Sequence, residues 1–222
     1  MSRKARQITR QKAQRRQALY IYGGLGGVIL LIGSIIAFTI LDTPPEVSED
    51  RLAQEATLGS PGAQVQIVEY GAYGCSTCRA LHESQTIEQL VDLYGDQVSF
   101  TFRNWPNIIP SIDPLAAQAA QCALDQGNDA FWTMHDALFT VPLSEYRRMD
   151  GHDQYARLAQ DHGLDGDALQ NCLAEDTHAR TVTHWEDAGD ELSIRGTPTI
   201  YVNGQLTSAN NLRNVVEREL GG

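Results

Sequence analysis

The chain has 222 residues and a hydrophobic fraction of 42%, enough for one folded domain with its own core plus appendages. Its formal net charge is −11, but seven cations and no acid precede position 19, so residues 42–222 carry ten cations against 28 acids, or −18. A surface that acidic repels a phosphate backbone and excludes nucleic acid as a partner.

Arg3, Lys4, Arg6, Arg10, Lys12, Arg15 and Arg16 make residues 1–18 a basic tail, too short and too charged to fold alone. Leu19 to Leu41 follows, 23 residues without a charge. At 1.5 Å per residue this spans about 34 Å, enough for a bilayer's hydrocarbon core. A cleaved signal peptide would have a shorter apolar run and a small-x-small site, and Phe38-Thr39-Ile40-Leu41 offers none. The expectation is an uncleaved anchor, its basic end cytoplasmic and everything after Asp42 extracytoplasmic, in the cell membrane. Residues 42–57, with Pro44-Pro45 and several acids, read as a hydrated linker with a short helix around Glu49–Ala56.

Gly59-Ser60-Pro61-Gly62 opens the folded domain, 58–222. Ala63–Val68 alternates with β-branched residues and predicts a strand. A helix is expected from Arg79 to about Leu93, and a second strand over Gln97–Phe102. Helical patterns alone occupy the block at about 111–187: Pro114–Gln126, Ala130–Phe139, Asp153–His162, Asp167–Ala174 and Thr177–Asp187. Thr199–Val202 is a strand, Asn203-Gly204 a hairpin turn, Gln205–Thr207 the return strand, and Asn211–Leu220 a closing helix. The pattern is an α/β domain interrupted by an all-helical insertion and preceded by one transmembrane helix.

Cys75-Ser76-Thr77-Cys78 falls where the first strand turns into the first helix. The unpaired N–H groups and the dipole of a helix N-terminus stabilise a thiolate at Cys75, and the thiolate is the reactive species. Cys78, one turn on, is placed to attack a mixed disulfide formed by Cys75. A Cys-x-x-Cys also begins zinc sites, and His82 would add an imidazole. A second pair at ligand spacing is missing, so no metal and no cofactor is expected. The other histidines, His135, His152, His162, His178 and His184, read as surface or packing positions. Cys122 and Cys172 face the interior of the helical block by periodicity. They either pack as two thiols or form a structural disulfide, which an oxidising compartment favours.

Gly196-Thr197-Pro198-Thr199 precedes the returning strand, where proline often marks a cis bond. Together with Val68-Glu69-Tyr70, Cys75-Ser76-Thr77-Cys78, Ala119-Ala120-Gln121-Cys122-Ala123 and Phe131-Trp132, it gives a chain that resembles the thioredoxin superfamily. Within that superfamily it is similar to the DsbA-like extracytoplasmic thiol-disulfide oxidoreductases. The resemblance covers about 58–222. It implies a thioredoxin-like fold, Cys75 as nucleophile, Cys78 as resolving thiol, and Glu69 as a buried acid that moves the proton of Cys78. Without the resemblance, Glu69 reads as a strand carboxylate facing solvent. Thr197 and Pro198, with Ser76 and Thr77, would meet an extended substrate segment. Ser76-Thr77 departs from the usual Pro-His pair, which implies a weaker oxidant. The implied activity is dithiol oxidation of secreted or membrane client proteins with cysteines, recharged by a membrane redox partner. The alternatives are a disulfide reductase or isomerase, or a non-enzymatic metal-delivery or partner-binding module.

Overall fold

The computed structural model describes residues 54–221. The expected anchor at 19–41, the basic tail and most of the linker lie outside them. Among the described residues no helix is long and apolar enough to cross a membrane.

Five strands form one sheet: β1 (Thr57–Gly59), β2 (Val65–Gly71), β3 (Val98–Asn104), β4 (Thr199–Val202) and β5 (Gln205–Thr207), in the order β1-β3-β2-β4-β5. β2 and β3 run parallel, with Val65 opposite Val98 and Gly71 opposite Asn104; every other pair is antiparallel. Parallel neighbours need a crossover, and it is supplied by α1 (Ser76–Glu83), α2 (Thr86–Tyr94) and a 3-10 turn at Gly95–Gln97. Val65, Ile67 and Glu69 point to one face of β2, into the main core. Tyr70 points the other way and packs with Trp105 and Ile194 in a smaller cluster, so β2 is buried on both sides where it approaches Cys75.

Between β3 and β4 the chain is helical: α3 (Asp113–Leu124), α4 (Asn128–Thr140), α5 (Leu143–Tyr146), α6 (His152–Asp161), α7 (Gly166–Ala174) and α8 (Ala179–Glu191). α3 is buried almost all round, and its Ala116, Ala117, Ala119, Ala120 and Ala123 are fully enclosed. Small side chains let neighbouring helices approach closely there, which is why this helix lacks a polar stripe. α3 and α7 are joined by the disulfide Cys122–Cys172, with the two Cα atoms 5.9 Å apart. Leu138 on α4 and Leu169 and Leu173 on α7 are wholly buried in the same core as Cys122, each contributing about 1.5–3 kcal/mol by burial. α9 (Leu212–Glu219) closes the domain, resting Leu212, Val215 and Val216 on the core.

Three elements differ from the sequence expectation. The helix expected over 79–93 is two helices, because Gln85 adopts a left-handed conformation at φ 51°. Ser84 Oγ donates to the Leu81 carbonyl at 2.6 Å and lies 2.7 Å from Thr86 Oγ1. These local hydroxyl bonds offer the backbone an alternative to another helical turn, without glycine or proline to announce it. β1 occupies the end of the expected linker, and residues 54–56 are not helical. Three residues carry no period of their own; β1 is a strand because β3 pairs with it. Its outer edge is covered by the Asn128 side-chain amide, which accepts from the Thr57 N–H at 2.9 Å and donates to the Thr57 carbonyl at 3.0 Å. The third is α5, a single turn too short to show periodicity.

Candidate active site

Cys75 is the N-cap residue of α1, in extended conformation at φ −80°, ψ 119°. Its Sγ accepts from the Cys78 backbone N–H at 3.4 Å, and its thiol form donates to the Thr197 carbonyl at 3.3 Å. Both cysteines are free thiols in this structure. The Cys75 thiol is lowered to about 5, first by hydrogen bonding from the Cys78 thiol, then by the Thr197 side chain and the backbone N–H groups of Cys78 and Thr77; partial burial opposes the shift. Cys78 is 1% exposed. Its pKa is pushed well above an ordinary thiol by its hydrogen bond to Cys75, by burial and by the charge of Glu69. Two sulfurs three residues apart are thus driven in opposite directions.

Glu69 sits between Phe102 and Ile200 on the neighbouring strands and is 4% exposed. Its Oε1 has no hydrogen-bond partner. Burial raises its pKa to about 8, with the Cys78 thiol opposing and the charges of Glu88 and Cys75 adding to the rise. Glu69 and Cys78 share the lining of a small cavity, about 10 Å³, with His82, Glu88 and His135. Near neutral pH this carboxyl holds its proton, and it lies beside the sulfur that needs one when it leaves a disulfide.

The Thr197–Pro198 peptide is cis. Thr77, Thr197, Pro198, Thr199, Leu206 and Thr207 line an open groove of about 580 Å³ in front of the sulfurs. Ser76 and Thr77 are exposed, and Leu206 is 69% exposed at the groove's edge. The remaining two cysteines, Cys122 and Cys172, lie in the insertion as its disulfide and take no part in this site.

Two positioning residues escaped the sequence reading. Asp113, 1% exposed, accepts from the backbone N–H of Gly74 at 3.0 Å and of Ile109 at 2.6 Å, and from the Tyr146 hydroxyl at 2.6 Å. A Cβ on Gly74 would stand 2.5 Å from this carboxylate, so only glycine admits the contact. Arg79 donates to the carbonyls of Tyr73, Leu138, Phe139 and Val141 at 2.6–3.0 Å, gathering the unpaired C-terminal carbonyls of α4 beside α1. The Asp-Pro opening of α3 signals a helix start but not what the aspartate holds.

A strand, a Cys-x-x-Cys at a helix N-cap, a cis-proline loop beside it and a returning hairpin define a thioredoxin-fold redox domain. The profile of the family described as Thioredoxin matches residues 52–217, and the chain belongs to that family. Among relatives, the probable disulfide bond formation protein D of Bacillus cereus is 25% identical over 203 residues, covering 87% of this chain and 92% of that protein. The Na(+)/H(+) antiporter NhaA 3 of Salinispora tropica is 34% identical over 169 residues, 75% of this chain but 24% of that protein. Among solved structures, oxidised BdbD from Bacillus subtilis matches with TM-score 0.67 and 27% identity, over 76% of this chain and 94% of that one.

Proposed function

We propose that this chain is a membrane-anchored thiol-disulfide oxidoreductase that oxidises dithiols of extracytoplasmic client proteins. The observation that carries it is the opposed pair: a low-pKa sulfur at the helix N-cap and a buried, high-pKa sulfur behind it. In the working cycle a client thiolate attacks Sγ of Cys75 in the Cys75–Cys78 disulfide. A mixed disulfide forms and Cys78 leaves, taking the proton of Glu69. The client's second thiolate then attacks its own sulfur in the mixed disulfide, and Cys75 departs as a thiolate. Two electrons have passed from the client to the cysteine pair, and a membrane redox partner with a disulfide of its own removes them. The groove beside Pro198 would hold the client segment, with Thr197, Ser76 and Thr77 along it. Anchoring is supported by the uncharged run 19–41 and the seven cations before it, which set the domain outside the membrane.

The reduction potential of Cys75/Cys78 tests this. The thiolate at about 5 lies between the handful of values known for such sites, about 3.5 for DsbA and about 7 for thioredoxin. The expected potential therefore falls between about −120 and −270 mV. A value at or below the thioredoxin figure would make the chain a reductase instead.

A further inference from the structure

Behind the redox pair, α1, α2 and α4 bring together polar groups that thiol exchange does not use. One ring nitrogen of His82, one of His135 and one carboxylate oxygen of Asp136 lie within 4.8 Å of one another. His82 stands one helical turn after Cys78 on α1, and His135 and Asp136 are consecutive on α4. The ligand separation of 53 residues between the two histidines (135 − 82) hides the cluster from any spacing rule.

The surroundings hold both imidazoles in place: His135 is 2% exposed and His82 is half-buried. His135 Nδ1 lies 3.2 Å from the Tyr73 hydroxyl; in the tautomer whose Nδ1–H donates to that oxygen, Nε2 keeps its lone pair. His82 stacks on Phe139 with ring centroids 4.9 Å apart, so its plane is held. On its two sides stand Glu88, 3.6 Å from Nδ1, and Asp136, 3.9 Å from Nε2. Neither distance is a hydrogen bond. Nδ1 of His82 and Oε2 of Glu88 are buried without a partner. Packing two imidazoles and two carboxylates this closely, unbonded, is costly unless something satisfies them together.

We propose that His82, His135 and Asp136 bind a borderline divalent cation, zinc first among them, with Glu88 and Tyr73 orienting the two imidazoles. Two neutral nitrogens and one carboxylate suit zinc, and they suit calcium and magnesium poorly, since those want a shell of oxygens. A carboxylate on the far nitrogen of a ligating histidine is the outer-shell pattern that fixes its tautomer, and Glu88 occupies that position toward His82. Asp136 is 64% exposed, so its side chain is free to turn inward and close the site.

The test is a calorimetric titration of zinc into the untagged full chain in detergent, with Cys75–Cys78 closed as a disulfide so that no thiolate competes. One zinc per chain is expected. Asp136→Asn and His82→Gln should each weaken binding at least about tenfold, whereas His184→Gln, an exposed histidine on α8, should leave it unchanged. Cobalt should bind in zinc's place, and calcium should not displace it. No saturable one-to-one binding would overturn the site. So would equal affinity in Asp136→Asn and wild type, or competition by calcium. Asp136 is at the surface, so its variant keeps the test valid if His82→Gln fails to fold. The titration reads no exchange chemistry, so the site and the oxidase reading stand or fall separately.

Discussion

Cys75 and Cys78 stand three residues apart at a strand–helix junction, whereas Cys122 and Cys172 stand 50 apart on two helices of the insertion. Loop closure separates them energetically. Closing a 50-residue loop restricts the unfolded chain by about 4 kcal/mol, and closing one of three residues by about 2 kcal/mol. By this measure the long pair constrains the unfolded chain about twice as much as the short one. Its environment is polarised, one sulfur on helix N–H groups and the other beside a protonated acid. The long pair is closed as a disulfide, Cys122 buried and Cys172 half-buried, with Asp125 Oδ2 3.9 Å from Cys172 Sγ and Leu138, Leu169 and Leu173 in the same core. Span decides which pair stabilises, and surroundings decide which pair reacts.

The sharpest way to break this division is to remove one sulfur from each pair. Cys75→Ala should abolish exchange with a reduced client, and Cys78→Ala should accumulate mixed disulfides through Cys75, read on non-reducing gels and by mass spectrometry. Alkylation of Cys78 ahead of Cys75 in the reduced protein would reverse the assigned roles. Cys122→Ala should lower stability by about 4 kcal/mol, on the order of 10 °C in melting temperature, while the folded variant keeps its exchange rate. Loss of exchange in that variant, measured below its melting point, would show that the two pairs are coupled.

Glu69 gives the next effect. Glu69→Gln should slow the release of Cys78 about a hundredfold, in the range of a missing acid–base group, without moving the Cys75 titration far. Its stability linkage has a definite sign. The folded carboxyl titrates at about 8 and the unfolded one near 4.5, so between these values the folded state binds the extra proton and stability falls as pH rises. In the dithiol protein Cys75 opposes this, its pKa of about 5 against 9 unfolded adding stability as pH rises over that window. Denaturant melts of the disulfide form remove the Cys75 contribution, and Glu69→Gln separates Glu69 from Glu88, Asp136 and Glu186, which burial also raises: the decline should become shallower in the variant, and an unchanged slope would assign it to those groups. The smallest change is expected from Thr197→Val, which should raise the Cys75 titration above about 5, read by thiolate absorbance.

Most of this architecture was legible because it is local. Ala63–Val68 alternates, the cysteine pair sits at the strand–helix junction, and Asn203-Gly204 announces its hairpin. What was missed depends on distant partners. β1 exists only through its pairing with β3, and the break at Gln85 rests on hydroxyl bonds that leave no gap in the apolar pattern. At the site, Cys75 and Cys78 were legible from their place at a helix N-terminus and Pro198 from its place before a strand, while Glu69 came through the resemblance, and the structure places Glu69 in the core, away from solvent. Spacing along the chain does not show that His82 and His135 meet, because they come together from two helices.

Asp113 has a consequence for when the Gly74 loop is seated. The loop that carries Gly74 is held by a carboxylate that arrives 39 residues later in the chain, and Tyr146, which shares that carboxylate, arrives 33 later still. Cys75 is synthesised before either. A chain only partly delivered has both sulfurs but lacks the anchor that seats the first of them at its helix end. The seating of the Gly74 loop thus waits until the insertion has folded back onto the sheet.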